Sequence, residues 1–297
     1  MFTLAHLSDL HIASPRPRLS ELVNKRGLGF INWQRKRKNI HRPEILDAVT
    51  RDLKAHSTDH IAVTGDLVNL SLSDEYQRAG RWLETIGPPR DVTVVPGNHD
   101  AYICGAEQCP AAFWADYMRG DDMRGDDGVG RFPFVRRRGD VALIALSSSV
   151  PTGPFMATGR LGERQLARLA ETLDQTRGSY RVVLIHHPPV GPLRRFLRRL
   201  TDAAALRRVL AEKGAELLLH GHDHRRALVW LDGPDGTKIP SVGVPSASAA
   251  APHGDEDGAG YHLFKIGGTP GNWRCEMTAR QYHADGAISD AGQRVLC

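Results

Sequence analysis

Residues 92–100 read Val-Thr-Val-Val-Pro-Gly-Asn-His-Asp, a short apolar run that ends in a polar tetrapeptide. Valine and threonine favour extended backbone, and a glycine after the run permits the tight turn that ends a strand. Four more polar motifs follow comparable runs. In chain order the five motifs are Asp9-Leu-His11, Gly65-Asp66, Gly97-Asn98-His99-Asp100, His186-His187-Pro188 and Gly221-His222-Asp223-His224. Since open α/β sheets bind ligands outside the carboxyl ends of their strands, we expect the motifs to meet at one crevice.

The runs that carry these motifs alternate with helical patterns over the first three quarters of the chain. The β-type runs are Phe2–Leu7, His60–Thr64, Val92–Val95, Val141–Leu146, Arg181–Ile185 and Glu216–Leu219. The helical patterns are Pro43–His56, Ser73–Ile86, Gly162–Thr176 and Asp202–Lys213. Strands that alternate with helices predict a parallel or mixed sheet.

Beyond His224 the pattern changes to strands without helices between them. These runs are Ala227–Leu231, Lys238–Val242, Tyr261–Ile266 and Trp273–Ala279. We expect them to form a second, more antiparallel sheet. The predicted fold class is therefore α/β, a two-sheet αββα sandwich with its active site at the carboxyl ends of the strands.

Three segments interrupt the alternation, at residues 14–41, 101–130 and 191–200. Each follows a polar motif, so we expect each to lie near the site as an insertion. The remaining pattern predicts one domain over residues 1–270. Residues 271–297 would add a C-terminal strand and a tail to which the sequence assigns no role.

Composition limits the class of protein. A chain of 297 residues with 41% hydrophobic and 25% charged residues can bury a large core and is not broadly disordered. No window approaches the roughly 20 apolar residues of a membrane span, and we expect no cleavable leader, because its removal would take Asp9 with it. We therefore expect a cytoplasmic protein. Its four cysteines form no CxxC pair, which argues against a disulfide framework; we expect thiols, with a local bridge between Cys104 and Cys109 as the alternative.

The five motifs offer carboxylate, imidazole and amide donors but no thiolate, a set that suits manganese, iron or zinc. Their order resembles the calcineurin-like metallophosphoesterase superfamily, whose pattern is D-x-H, G-D, G-N-H-[DE], H and G-H-x-H. The resemblance covers about residues 1–270 and includes every element of the pattern. It implies two divalent ions, Mn²⁺, Fe²⁺/Fe³⁺ or Zn²⁺, with a bridging hydroxide as the nucleophile.

Position by position, the resemblance also implies a role for each motif residue. The first metal would be held by Asp9, His11 and His224, the second by Asn98, His186 and His222, with Asp66 bridging both. The family places its ligand histidine two residues before a proline, which selects His186 over His187. His99, oriented by Asp100, would steady the phosphate or donate a proton to the leaving group.

The implied function is hydrolysis of a small phosphoester or phosphoanhydride, and the motifs look like the bacterial phosphodiesterase branch, which includes class III cyclic nucleotide phosphodiesterases. The alternatives are an enzyme similar to UDP-2,3-diacylglucosamine pyrophosphatases, a phosphomonoesterase and an inactive metal-binding scaffold. We expect no nucleic-acid partner, because the chain has no recognisable nucleic-acid-binding module. The sequence does not define an oligomeric state.

Two basic segments leave the partner open. Arg35–Lys38 and Phe196–Leu200 combine cationic with apolar residues, which suits either peripheral contact with anionic lipid at the inner membrane surface or a surface helix packed on the core. The residues that we expect to contact substrate are His187, Asn98, Arg194 and Arg195. For His187 a supporting role beside the metal ligands is the favoured alternative.

Overall fold

The computed structural model describes residues 1–12, 14–35, 37–104, 110–122, 131–191, 193–252 and 254–297, without the side chains of residues 193–195. Within these ranges the chain forms two six-stranded sheets. The strands are β1 (Phe2–Leu7), β2 (His60–Val63), β3 (Val92–Val94), β4 (Phe134–Arg138), β5 (Val141–Ala145), β6 (Tyr180–Leu184), β7 (Leu217–His220), β8 (Ala227–Asp232), β9 (Lys238–Gly243), β10 (Gly260–Thr269), β11 (Asn272–Tyr282) and β12 (Ile288–Val295). The first sheet has the order β12-β11-β10-β1-β2-β3 and the second the order β4-β5-β6-β7-β9-β8.

Helices connect and flank the strands. They are α1 (Lys25–Arg35), α2 (Pro43–Ala55), α3 (Ser73–Ile86), α4 (Ala111–Trp114), α5 (Glu163–Gln175) and α6 (Ala203–Lys213). Short 3-10 turns lie at Leu19–Leu22, Arg37–Asn39, Pro89–Asp91, Ala115–Met118, Leu193–Arg198 and Pro234–Gly236. Among the described residues, no helix is long and apolar enough to cross a membrane.

The period-two alternation of β5, β6 and β7 builds the layers of the sandwich, because successive side chains of a strand point to opposite faces of the sheet. Leu143, Leu184 and Leu219 belong to the cluster that also contains residues of the first sheet, α2 and α3. The neighbouring Ile144 and Leu218 pack instead with residues of α5 and α6. Strands β5, β6 and β7 are therefore buried on both faces, which explains their continuous apolar runs.

The predicted two-sheet sandwich is confirmed, but the predicted assignment of strands to sheets is wrong. The four strands after His224 do not form a sheet of their own. β8 and β9 extend the second sheet through a parallel pairing of β9 with β7, whereas β10 pairs antiparallel with β1 in the first sheet. Strand order depends on pairing between distant residues, which a local pattern does not specify.

Two strands lack a sequence signal. β12 is mostly exposed and polar, so the tail forms an edge strand without alternating apolar residues. β4 contains three arginines, of which Arg136 is buried and donates to backbone carbonyls, including that of Val92 at 2.6 Å.

Cys104 is disulfide-bonded, which corrects our expectation of a thiol, whereas Cys275 and Cys297 are free. Cys109 lies outside the described residues.

Candidate metal centre

The five polar motifs lie together, beyond the carboxyl ends of three parallel strands of the first sheet and two of the second. Their donor atoms form three overlapping groups, each with all atoms within 4.8 Å of one another. The groups are Asp9, His11 and His224; Asp9, Asp66 and His186; and His186, His187 and His222. All of these residues are buried. The crevice predicted from the motif positions therefore exists.

The backbone of the centre is strained where the donors stand. Asp9, His11, Asp66, His222 and His224 have φ angles between 46° and 70°, a left-handed region that residues other than glycine rarely adopt. Backbone hydrogen bonds fix Asp9 and His11 in this conformation: the N–H of Asp9 donates to Gly65 O at 2.9 Å, and that of His11 to Asp66 O at 3.0 Å. Strain of this kind persists where the surroundings enforce it, and it concentrates at functional sites.

The first donor group contains a ring nitrogen without a partner. His11 places Nδ1 3.2 Å from Val68 O, and its Nε2 has no hydrogen-bond partner among the described residues. His224 Nε2 lies 3.1 Å from Asp9 Oδ1. Buried polar atoms without partners are costly, so this arrangement fits a bound cation that takes these atoms as ligands.

Glu256 is a member of the centre that the sequence did not reveal. Its Oε2 lies 3.0 Å from Nδ1 of His224, the nitrogen that faces away from Asp9. Burial alone would lower the pKa of His224, but the carboxylates of Asp9 and Glu256 raise it to about 9. A carboxylate behind a ligand histidine fixes the orientation of the ring. Glu256 belongs to no motif, so only the fold connects it to His224.

The second donor group forms around His186. Its Nδ1 lies 2.7 Å from Thr64 O, and this contact directs Nε2 toward the centre. Nε2 is 3.2 Å from Asn98 Oδ1, 3.2 Å from Nδ1 of His222 and 3.5 Å from Asp66 Oδ2. The arrangement is compatible with a cation held by these side chains.

His187 engages both of its ring nitrogens inside the protein. Nδ1 lies 2.7 Å from Ser148 Oγ and Nε2 3.1 Å from Ala157 O, while the ring packs against His222 at 4.3 Å between centroids. The side chain is fully buried. These contacts favour a supporting role for His187 and leave no nitrogen for substrate, contrary to the predicted substrate contact.

Asp100 does not orient His99, which corrects the role that we expected for it. Its Oδ1 accepts from the N–H groups of Leu67 and Val68 at 2.8 and 3.1 Å, and its Oδ2 accepts from Gly97 N–H at 2.8 Å. The carboxylate therefore holds two ligand loops together. The turn of the tetrapeptide supplies the Gly97 N–H, and the other two donors come from the loop after β2.

His99 is instead fixed by Asn69 and Arg37. Nδ1 lies 2.6 Å from Asn69 O, and Nε2 lies 2.6 Å from Nη1 of Arg37. Burial, and then the charge of Arg37, lower the pKa of His99 well below its usual value. The protonated His99 expected from the sequence is therefore disfavoured in this arrangement.

A cavity of about 460 Å³ opens over the centre, and its far wall comes from segments outside the motifs. Among its lining residues are Lys25 and Arg37 from insertion 14–41, Tyr102, Phe155 and Arg198. Lys25 donates to Thr152 O at 2.8 Å and lies 4.1 Å from the centroid of the Tyr102 ring. Residues of the segments 14–41 and 191–200 therefore line this cavity. The predicted substrate contacts of Arg194 and Arg195 lie outside the described side chains.

Residues 2–226 match the model of the calcineurin-like phosphoesterase family. The chain belongs to that family. It is therefore a metal-dependent phosphoester hydrolase, the class that the motif resemblance implied.

Two curated relatives agree with this membership, and one solved structure shares the fold. The chain is 29% identical over 237 residues to a probable cyclic nucleotide phosphodiesterase of Synechococcus sp., covering 77% of this chain and 80% of the relative. It is 26% identical over 196 residues to the glycerophosphodiester phosphodiesterase of Enterobacter lignolyticus, covering 63% and 57%. The purple acid phosphatase of yellow lupin (Lupinus luteus) aligns with a TM-score of 0.60 and 12% identity over 99% of this chain. The chain spans 53% of that phosphatase, and the likeness concerns the fold.

Proposed function

We propose that this member of the calcineurin-like phosphoesterase family is a dinuclear phosphodiesterase. The first ion would be held by Asp9, His11 and His224, the second by Asn98, His186 and His222, and Asp66 would bridge them. The observation that carries the proposal is the overlap of the donor groups: Asp9 belongs to two of them, and one of these two also contains Asp66 and His186. Overlapping groups with buried carboxylates suit two adjacent cations better than one.

Divalent cations at these positions would supply a water nucleophile at neutral pH and offset charge on the phosphoryl group. The protein contributes the fixed positions of the donors. Oδ2 of Asp9 accepts from His222 N–H at 2.9 Å and Oδ1 of Asp66 from His99 N–H at 2.7 Å, so each carboxylate is oriented before any substrate binds. The cationic wall of the cavity favours an anionic substrate.

A diester is preferred over a monoester because both curated relatives are named as phosphodiesterases. A lipid-precursor pyrophosphatase is the second candidate, and the mouth of the site favours it. Phe155 is 84% exposed and lines the cavity beside Arg198. Phe196 and Leu197, just before Arg198 in the chain, are 59% and 49% exposed, and Phe196 lines a neighbouring cavity that also includes Arg198. Exposed apolar residues next to cations suit a substrate with acyl chains at an anionic membrane surface.

The test is a substrate comparison on metal-stripped protein that has been reloaded with Mn²⁺, Fe²⁺ or Zn²⁺. We expect metal-dependent hydrolysis of bis(p-nitrophenyl) phosphate that exceeds hydrolysis of p-nitrophenyl phosphate. Faster hydrolysis of the monoester than of the diester would contradict the diesterase proposal and indicate a phosphomonoesterase. Hydrolysis of a diacylated nucleotide sugar alone, together with binding to anionic liposomes, would favour the second candidate.

A further inference from the structure

Resting on the function proposed above, we propose that Arg37 is a substrate-binding residue of this site and that His99 positions it. Arg37 would donate to a phosphoryl or leaving-group oxygen that the metals do not hold. The observation behind this is the contact of Nη1 with Nε2 of His99 at 2.6 Å. None of the five motifs contains Arg37, which lies in insertion 14–41.

The direction of the hydrogen bond follows from the chemistry of the two groups. A guanidinium has five N–H donors and no acceptor, so Nε2 of His99 accepts from Arg37. The other nitrogen, Nδ1, must then carry the proton, and it donates to Asn69 O at 2.6 Å. In this tautomer the Nε2 of His99 has no proton to give to a leaving group. The group that presents N–H donors is Arg37.

Arg37 stands on a turn that is anchored to the segment after β9. Its carbonyl accepts from the N–H groups of Ile40 and His41 at 2.9 and 3.1 Å. Immediately after that turn, Ile40 O accepts from Ala250 N–H at 2.8 Å and Arg42 N–H donates to Ser248 O at 3.0 Å. An insertion that is tied at these points can hold a side chain in one place, which preorganised binding requires.

The guanidinium of Arg37 also has N–H donors that its contact with His99 does not use. Both contacts with His99 are made by Nη1, at 2.6 Å to Nε2 and 3.4 Å to Nδ1, so His99 does not use the donors of Nε and Nη2. Arg37 lines the cavity together with Asp66 and Asn98. The planar guanidinium of Arg37, which lines the same cavity as the metal donors, matches the geometry of phosphate oxygens.

The experiment compares Arg37→Ala and Arg37→Gln with the matched control Arg42→Ala in metal-loaded protein. Arg42 is five residues away, 55% exposed and paired with Glu44, so its loss should leave activity unchanged. Removal of a preorganised donor typically lowers the rate about 100-fold or more, and we expect that fall in kcat/KM for both Arg37 variants. Added guanidinium ion should restore part of the activity of Arg37→Ala, because it can reoccupy the vacated position.

A double-mutant cycle with His99→Ala separates positioning from independent catalysis. If His99 acts through Arg37, the double variant loses little more than Arg37→Ala alone. Multiplicative losses, or no rescue by guanidinium in variants that keep their metal content, would overturn the proposal.

Binding of inorganic phosphate to the metal-loaded protein keeps this test separate from the proposed function. If the wild type hydrolyses no diester, the proposed function fails, and calorimetry with phosphate still decides the role of Arg37. We expect about tenfold weaker binding in Arg37→Ala. Equal affinity in the wild type and this variant would contradict the inference on its own.

Discussion

The two sides of the cavity are built differently. On the metal side, donors come from short motifs at strand ends and are buried, and five of them stand on left-handed backbone. On the opposite side, Lys25, Arg37, Phe155 and Arg198 come from insertions and loops with no regular spacing. The comparison suggests that the metal side determines the reaction and that the opposite wall determines which phosphoester reaches it.

The largest effect is expected from disturbing the metal side without removing a donor. In Gly221→Ala the new methyl group would overlap the side chain of Ser8 and lie 2.5 Å from Oδ2 of Asp9. A displacement of about 1 Å at a reacting centre costs about 100-fold in rate, and we expect at least that loss of diesterase kcat. Gly178→Ala is the matched control, since no atom lies within 4 Å of its added carbon. Equal activity of the two variants would show that the donor loops are not held as tightly as described.

A smaller effect, on metal affinity, is expected from changing Glu256, the carboxylate that supports the ligand histidine His224. Glu256→Gln keeps the size of the side chain but removes the charge behind His224. Loss of such a partner lowers metal affinity by about 10- to 100-fold. Metal titration followed by calorimetry measures this change. Unchanged affinity in Glu256→Gln would mean that the contact at 3.0 Å does not orient the ligand.

On the opposite wall we expect an effect on substrate binding that depends on pH. Burial lowers the pKa of Lys25 to about 8, so its positive charge is present below that pH and is lost as the pH rises through it. Lys25→Met should raise KM for an anionic diester about threefold at pH 7, corresponding to less than 1 kcal/mol. Its KM should change less between pH 7 and 9 than that of the wild type. Lys54→Met, at an exposed position of helix α2, serves as control; a matching rise in KM there would refute the assignment.

The smallest expected effect on catalysis comes from a buried histidine that belongs to neither side. Burial, and then the nearby arginines, lower the pKa of His60 to about 2, and its Nε2 lies 2.7 Å from Thr93 Oγ1. In the unfolded chain the imidazole of His60 takes up a proton near pH 6.5, whereas in the folded chain it does not. The free energy of unfolding therefore keeps its full value above pH 6.5 and falls by about 1.4 kcal/mol per pH unit below that pH.

His60→Gln preserves a hydrogen-bonding group but does not titrate in this range. Urea unfolding between pH 7 and 4 should show a shallower pH dependence for this variant, with diesterase activity at pH 7 unchanged. Identical slopes for variant and wild type would mean that His60 does not contribute to acid destabilisation.

The position of the motif residues at strand ends could be predicted from the sequence because local signals specify it. An apolar run followed by Gly-Asn98-His99-Asp100 defines both a strand end and a set of donors. The prediction that Asp100 orients His99 was wrong, since the direction of its carboxylate depends on the N–H groups of Leu67 and Val68 on another loop. Neither Glu256 nor the left-handed backbone of His222 leaves a local signal.

The opposite wall was predictable only in outline. The basic run at residues 35–38 suggested a membrane contact or a surface helix, yet Arg37 points into the site because its turn is bonded to residues 248–250. The fold class followed from alternating strands and helices, but the place of β10 beside β1 depends on partners more than 250 residues apart. Pairing and insertion geometry are long-range properties that composition and spacing do not encode.

The most direct test of the account is a titration of metal-stripped protein with Mn²⁺ in which bound metal and bis(p-nitrophenyl) phosphate hydrolysis are measured on the same samples. The account predicts two ions per chain and activity that rises with the second, and in Asp66→Ala the loss of both tight binding of a second ion and activity. Full activity with one ion per chain, or an active Asp66→Ala variant, would contradict the dinuclear centre.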